Sequence, residues 1–392
     1  MASSETPLAA APRRITRRNL TDVAAIFLKI GITAFGGPAA HVAMMRREIV
    51  ERRQWIDEQH FLDLLGATNL IPGPNSTEMS MHIGFVRAGW VGLFVGGASF
   101  ILPAMLIVLG LAWVYVEYGT TPAAEWLLYG IKPVIIPLIV QAIWGLGQKA
   151  VKGVLTALIG GGALLFYFAG INFVILLVGG GLLLVVIQNA RQLKKPTRVR
   201  TLLPVPFLGS GLAVGAGTTF SLWSMFWAFV KIGALMYGSG YVLFAFLHAD
   251  LVERNHWLTE QQLIDAIAIG QMTPGPLFTS ATFIGYLLGD VPGALLATLG
   301  LSLPAFFFVA VSNPLVPRVR HSPWASSFLD GVNVAALGLM AAVTWELARA
   351  AYLDMFTVLI GLVAAVVLFR YRISSIWLVI FGALMGLLSA AI

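Results

Sequence analysis

Apolar residues dominate the chain from about residue 22 to its end, and short polar segments interrupt them. Thirteen apolar stretches can be distinguished, and most have the length that a helix needs to cross a bilayer, about 17–25 residues. They cover residues 22–45, 61–86, 90–116, 126–147, 153–168, 171–188, 202–219, 222–248, 262–288, 292–313, 325–348, 352–369 and 373–392. This pattern predicts an all-α polytopic membrane protein that resides in a lipid bilayer.

The chain contains an internal duplication. A shift of 202 positions aligns residues 27–77 with 229–279 without a gap, and 17 of these 51 positions are identical, including the Pro-Gly-Pro triplets at 72–74 and 274–276. The stretch 202–219 has no partner in the first half and adds one crossing, so we predict two inverted-topology repeats. The predicted parts are a basic cytoplasmic arm (1–20), a first repeat (21–190), a basic linker with an extra spanning helix (191–221) and a second repeat (222–392).

Glycine and proline interrupt the first two apolar stretches of each repeat, in AFGGPAA and NLIPGPNST and again in MYGSGYV and QMTPGPLFT. A continuous helix loses hydrogen bonds at such positions. If these four stretches are re-entrant and the N-terminus is cytoplasmic, the basic clusters at 13–18, 46–53 and 191–200 all lie inside, as the positive-inside rule requires. Four full crossings would instead export the cluster at 46–53, so we predict re-entrant helices.

Composition excludes several function classes. Hydrophobic residues make up 58% of the 392 and charged residues only 11%, which excludes a soluble enzyme. The 25 Lys and Arg exceed the 18 Asp and Glu, but the excess lies in short loops, so we predict no nucleic-acid partner. The chain has no cysteine, no P-loop and no cage of carboxylates and carbonyls, so we predict no metal site, no cofactor and no direct use of ATP.

Two lysines within apolar stretches are the first candidate site residues. Lys29 and Lys231 occupy equivalent positions in the two repeats, in the shared context FxKIG. A lysine in the membrane is costly, by about 3 kcal/mol on insertion scales, and normally has a partner or lines a pathway. The alternative is that each side chain extends to the membrane surface. Lys132 is a weaker candidate, for which we favour that alternative.

The Pro-Gly-Pro triplets are the second signal, because short polar residues follow them as they follow the start of a half-helix. Such a start presents unpaired N–H groups that favour an anion. The two signals together predict a cavity at the repeat interface that binds a small oxyanion. Its predicted residues are Lys29, Lys231, Gly36, Gly37, Asn69, Gly73, Asn75, Ser76, Thr77, Gly238, Ser239, Gln271, Gly275, Thr279 and Ser280.

Three titratable residues near the first triplet are candidates for proton coupling: Glu78, His82 and His41. Glu78 and His82 are four residues apart and would share one helix face. Histidine changes charge near physiological pH and is suited to link anion movement to protons. The alternative is a structural Glu–His pair. The second repeat has Ser280 and Ile284 at the equivalent positions, so this role is confined to one half.

The elements FGGP (35–38), ERRQW (51–55), NLIPGPNST (69–77) and QMTPGPLFT (271–279) resemble those of the chromate ion transporter family, in its long form with two homologous domains. The resemblance covers nearly the whole chain and implies a multi-pass inner-membrane protein that exports chromate and confers resistance. The second half departs from it by reading GSG in place of GGP, and Glu78 places an acid beside the expected anion path. The resemblance points to Gly36, Gly37, Pro38, Pro72, Gly73, Pro74, Pro274, Gly275 and Pro276.

The leading hypothesis is therefore a secondary transporter that exports a tetrahedral dianion, with chromate or sulfate as the small-molecule partner and the bilayer as its surroundings. Uptake or exchange of sulfate or another oxyanion remains an alternative, as does an anion channel. An intramembrane enzyme is disfavoured because no nucleophile accompanies Glu78 and His82. The sequence leaves the oligomeric state open, including a homodimer.

Overall fold

The computed structural model describes residues 16–35, 37–119, 121–193, 220–237, 240–312, 323–371 and 373–389. All regular secondary structure in these ranges is helical, as predicted. The α-helices are α1 (Arg17–Thr33), α2 (Gly37–Arg46), α3 (Glu58–Thr68), α4 (Asn75–Tyr118), α5 (Pro122–Ala150), α6 (Val154–Phe168), α7 (Phe173–Leu193), α8 (Leu222–Leu235), α9 (Leu243–Leu247), α10 (Glu260–Met272), α11 (Ser280–Ser312), α12 (Pro323–Ala351), α13 (Met355–Tyr371) and α14 (Ser375–Ser389). Two π-helical segments, Arg47–Arg52 and His248–Arg254, and two 3₁₀ turns, Gly240–Val242 and Leu277–Thr279, complete them. The predicted helix 202–219 lies outside the described residues.

Four of the described helical stretches are long and apolar enough to cross a membrane: Asn75–Tyr118, Pro122–Ala150, Leu277–Ser312 and Ser326–Ala351. Large apolar side chains remain exposed along most of the long helices, for example Leu106 on α4, Leu158 on α6 and Leu299 on α11. An exposed apolar surface of this extent suits contact with lipid rather than water. The structure thus agrees with an all-α membrane protein, while inverted orientation and re-entrant entry stay predictions.

The helices α4 and α11 are each folded into two antiparallel halves. The backbone leaves helical geometry at Ala88 and Gly89 in α4, and at the equivalent turn in α11. Across the first turn, a Cβ atom added at Gly84 would lie 2.1 Å from the carbonyl oxygen of Gly92. Only glycine allows two helix backbones to approach so closely. The segment that follows the first Pro-Gly-Pro triplet is therefore a short helix packed against a long one.

The two repeats interlock through their C-terminal helices. The long helix α5 of the first repeat packs against α13 and α14 of the second, and its counterpart α12 packs against α6 and α7 of the first. Both crossings use glycine pairs, because a Cβ atom at Gly130 would lie 2.0 Å from the oxygen of Gly382. At Gly331, the equivalent of Gly130, a Cβ atom would lie 2.4 Å from the oxygen of Gly180. The duplication is thus also a duplication of contacts.

Local capping explains why short helices begin where they do. Asp57 accepts the backbone N–H of His60 at the start of α3, and Thr259 accepts that of Gln262 at the start of α10. The helix α10 ends at Met272, one residue short of its triplet, since proline lacks an N–H group and restricts the residue before it. The helix α3 ends earlier, at Thr68. Each triplet consequently lies between a capped short helix and a long hairpin.

Candidate anion-binding site

Each Pro-Gly-Pro loop forms a backbone hydrogen bond with the other repeat. The backbone N–H of Gly73 donates to the carbonyl oxygen of Met236 at 2.7 Å, and that of Gly275 donates to the oxygen of Ala34 at 2.9 Å. Ala34 and Met236 are equivalent positions that end α1 and α8. The loop glycines predicted to bind an anion therefore use their N–H groups to join the repeats. We call the two loops, residues 72–74 and 274–276, the crossed loops.

The Gly-rich breaks after α1 and α8 lie beside the crossed loops. A Cβ atom added at Gly37 would lie 2.9 Å from the hydroxyl oxygen of Tyr241, and one added at Gly275 would lie 3.1 Å from the oxygen of Gly31. At the first break the neighbour is thus a side chain of the second repeat, and in the second break a Cβ atom added at Gly240 would lie 3.8 Å from Cβ of Leu277. Gly36, Gly238 and Ser239 lie outside the described residues.

Buried polar atoms without a hydrogen-bond partner concentrate around the crossed loops. Among the described residues they include Thr77 Oγ1, both carboxyl oxygens of Glu78, Gln271 Nε2 and Ser280 Oγ. The first N–H groups of α4, at Asn75 and Ser76, also have no acceptor within the helix, because a helix start leaves them unpaired. Buried polar groups normally have partners, so such a concentration indicates that water or a polar ligand enters here.

Two other predicted anion ligands, Asn75 and Thr279, form hydrogen bonds with nearby residues. The side-chain N–H of Asn75 donates to Oδ1 of Asn69 at 2.7 Å, and the Thr279 hydroxyl donates to the oxygen of Pro276 at 3.1 Å. Ser76 is buried at the start of α4. These residues adjoin the crossed loops and stay candidates. To bind an anion, Asn75 or Thr279 would have to give up the hydrogen bond described here.

Glu78 lies directly against the first crossed loop. A Cβ atom at Gly73 would lie 2.2 Å from its Oε1, and its side chain is fully buried. His82 is also fully buried, one turn further along α4. His41 is buried too, and its Nε2 lies 3.2 Å from the oxygen of Ala34, the acceptor of the second crossed loop. The three proton-coupling candidates are therefore close to the loops, although no contact between them is established.

Lys29 is bound to a carboxylate that the sequence analysis did not select. Its Nζ donates to Oε1 of Glu48 at 2.7 Å, and Nη1 of Arg52 donates to the same oxygen at 2.8 Å. Arg53 lies 3.9 Å from the other oxygen. The hydrogen bond from Lys29 holds the pKa of Glu48 below its usual value. Three cations around one carboxylate leave this cluster net positive.

The second repeat reproduces this pair. Lys231 donates to Oδ1 of Asp250, which is the equivalent of Glu48, and Arg254 lies 3.9 Å from the same oxygen. This second pair is the more buried of the two, because the Lys231 side chain is 29% exposed and that of Lys29 is 55% exposed. A signal for both partners was present in the sequence, since each acid follows its lysine by 19 positions. Whether the lysines bind an anion stays a prediction.

Lys132 does not extend to the surface, which corrects the sequence-based interpretation. Its side chain is 16% exposed, and its Nζ lies 3.1 Å from Oδ1 of Asp265 and donates to Oε1 of Gln261 at 2.8 Å. The hydroxyl of Tyr115 donates to the other oxygen of Asp265 at 2.8 Å. A buried carboxylate explains why a lysine is retained here, because an unpaired charge would be costly.

The family model for chromate transporters matches the chain twice, over residues 21–185 and 223–387. The chain belongs to the chromate transporter family. A probable chromate transport protein of Synechococcus elongatus is 31% identical over 359 residues, which is 89% of each chain. The chromate transport protein of Cupriavidus metallidurans is 30% identical over 93% of this chain and 91% of its own. That of Pseudomonas aeruginosa is 32% identical over 82% and 80%.

Each match to the chromate transporter family contains one Gly-rich break and one Pro-Gly-Pro loop. The two family units are therefore the two repeats whose loops cross in the structure. No solved structure matches the chain.

Proposed function

We propose that this chain is a secondary active transporter that exports chromate across the inner membrane. The observation that carries the proposal is the reciprocal pair of backbone hydrogen bonds, from Gly73 to Met236 and from Gly275 to Ala34. Each bond joins a broken segment of one repeat to the same point of the other. Two equivalent contacts in repeats of opposite orientation can loosen alternately, which is the geometry that alternating access needs.

The helix lengths support re-entrant segments on both sides of this centre. The helix α3 has 11 residues and spans about 16 Å, roughly half of a 30 Å hydrocarbon core. The part of α4 before its turn at Ala88 is of similar length, so the loop 72–74 would lie near the bilayer centre. We propose that segment 58–87 enters and leaves on the cytoplasmic side, and that the second repeat does the same on the opposite side.

We propose that the anion binds beside the crossed loops. The free N–H groups at the start of α4, the hydroxyls of Thr77 and Ser280 and the amide of Gln271 supply its donors. The net positive clusters around Lys29 and Lys231 attract it, and each ammonium group exchanges its carboxylate partner for the anion. Chromate offers four oxygen acceptors in a compact tetrahedron, which suits donors from several directions.

Glu78 is our candidate for the coupled proton. An ionised carboxylate that is buried without hydrogen bonds is strongly unfavourable. A proton on Glu78 also removes a negative charge from the neighbourhood of the anion. Outward movement of a dianion is itself favoured by an inside-negative potential, at about 2.3 kcal/mol per charge per 100 mV. Proton exchange would thus set the direction and pH dependence of transport rather than supply its whole driving force.

The direct test measures labelled chromate uptake into inverted membrane vesicles, with and without a pH gradient and with sulfate as competitor. We expect saturable uptake, counterflow and weak competition by sulfate. Stronger inhibition by sulfate than by unlabelled chromate would assign the site to sulfate. Flux that neither saturates nor shows counterflow would refute a transporter and indicate a channel.

A further inference from the structure

A buried histidine faces several glutamates at the start of the second π-helical segment. Nε2 of His248 lies 3.4 Å from Oε2 of Glu346 and 4.0 Å from Oε1 of Glu260, and its Nδ1 lies 3.8 Å from Oε1 of Glu253. One ligand atom each from His248, Glu253 and Glu346 lies within 4.8 Å of the other two. The cluster contains three carboxyl groups, and Arg349 offsets part of the charge of one of them, Glu346.

The hydrogen bonds of this cluster define which histidine nitrogen is available. The hydroxyl of Tyr167 donates to Oε1 of Glu253 at 2.6 Å, with a longer contact of 3.2 Å to Glu346. Its oxygen lies 3.2 Å from Nδ1 of His248. Because the hydroxyl proton is donated to Glu253, the tautomer of His248 that completes these bonds has its proton on Nδ1. In this tautomer Nε2 keeps a lone pair, and it is buried without a hydrogen-bond partner among the described residues. A lone pair that faces carboxylates favours a cation between them, either a proton or a metal ion.

The first repeat contains a cation at this point as part of the chain. Arg46 occupies the position of His248, and its Nη1 and Nε donate to Glu51 at 2.6 Å and to Glu58 at 2.7 Å. Glu51 and Glu58 are the equivalents of the glutamates at 253 and 260. In the second repeat the guanidinium is replaced by an imidazole, and Glu346 is added from α12. The same pair of glutamates thus lacks its internal cation.

We propose that this cluster binds a divalent transition-metal ion, with Zn²⁺ as the representative. His248 Nε2, Glu346 and Glu253 are its ligands, and Glu260 is within reach as a fourth. Two ligands at 2.0–2.1 Å from a tetrahedral Zn²⁺ are about 3.3–3.4 Å apart, which is the separation between His248 and Glu346. The imidazole favours Zn²⁺ or Co²⁺ over Mg²⁺ and Ca²⁺. Tyr167 orients the histidine as an outer partner.

This site is independent of the proposed transport function. It departs from the expectation that the chain has no metal site, which rested on the lack of cysteine and of a cage of carboxylates and carbonyls in either repeat. Glu346 and Tyr167 are remote from His248 in the chain, and only the packing of α6 and α12 brings them to it. The ion would fasten α12 to the segment that contains Asp250, the partner of Lys231.

The test uses untagged, full-length protein in detergent, stripped with a chelator and titrated with Zn²⁺ by calorimetry. We expect one tight site per chain, a higher melting temperature with Zn²⁺, and a tetrahedral Co²⁺ absorption spectrum. His248→Arg installs the cation of the first repeat, so it should stay folded without metal and bind Zn²⁺ at least tenfold more weakly. Glu346→Gln should weaken binding similarly and provides a second variant if the arginine does not fold.

The internal repeat supplies a matched control. Glu253→Gln should weaken Zn²⁺ binding, whereas Glu51→Gln at the equivalent position should leave it unchanged. The proposal is overturned if the stripped protein takes up no Zn²⁺ or Co²⁺, or if His248→Arg binds Zn²⁺ as tightly as the unaltered chain. It is also overturned if Glu51→Gln weakens Zn²⁺ binding as much as Glu253→Gln does.

Discussion

Replacing Gly73 by alanine tests whether the crossed loops maintain the transporting conformation. Gly73 has a φ of 144°, in a region that other residues rarely adopt, with a strain on the order of 1–3 kcal/mol. The added Cβ atom would also lie 2.2 Å from Oε1 of Glu78 and 3.3 Å from Cβ of Ala305. Since 1.4 kcal/mol is a factor of ten, the strain alone should reduce this conformation about 5- to 150-fold.

A double substitution separates the clash from the strain. The Glu78 carboxyl is the end of a flexible side chain, so Glu78→Ala should recover part of the stability that Gly73→Ala removes. At Gly275, with φ of 92°, the added Cβ atom would lie 2.7 Å from Cβ of Ala104 and 3.1 Å from the oxygen of Gly31. Neither of these atoms can rotate away. Gly275→Ala should therefore be at least as severe and should not respond to Glu78→Ala.

Two measurements decide the outcome: the initial rate of chromate uptake into inverted vesicles and the melting temperature of the purified protein. Gly110→Ala is the matched control, because Gly110 lies within α4 and an added Cβ atom would have no neighbour within 4 Å. That change should keep transport and slightly stabilise the helix. If Gly73→Ala transported and melted like Gly110→Ala, the crossed loops would not hold the active conformation.

The remaining predictions concern charge and topology. Lys29→Met should reduce chromate transport at least tenfold. Glu48→Gln should lower the KM for chromate, because it removes the carboxylate that competes with the anion for Lys29. If both variants instead lost folded protein to the same extent, the pair would have a structural role. Glu78→Gln should retain folded protein but abolish the response of uptake to a pH gradient, and an unaltered response would exclude Glu78 as the proton carrier. Accessibility labelling should place residues 46–55 inside and 248–258 outside, and reversed labelling would refute the re-entrant arrangement.

The pattern of apolar residues predicted the helices well, because a membrane helix is defined by a continuous apolar run. The stretch predicted at 126–147 is the core of Pro122–Ala150, and that at 352–369 corresponds to Met355–Tyr371. Breaks were recognised where proline interrupts the backbone. The turn at Ala88 and Gly89 falls in the gap between the predicted stretches 61–86 and 90–116. The pattern did not show that the two parts of α4 pack against each other, because that depends on glycine contacts across the turn.

Partners across the fold were the main omission. Lys29 and Lys231 were selected for their rarity in apolar surroundings, but Glu48 and Asp250 lie in polar segments where charge is ordinary. The one signal for them in the sequence is their equal spacing of 19 positions from the lysines, and packing then brings each acid to its lysine. Lys132 was misread for the same reason, since Asp265 belongs to the other repeat.

Comparison of the repeats separates what the fold requires from what one half has acquired. The lysine–acid pair and the crossed loop occur in both halves, so they belong to the framework that the two repeats share. Glu78 in the first repeat and His248 in the second have no equivalent of the same chemistry. A protein that cycles between two related states can be symmetric in its framework, but a proton or metal acts at one place. We therefore assign the shared residues to conformational exchange and the unshared ones to its control, and variants at unshared positions should alter pH or metal dependence before they alter folding.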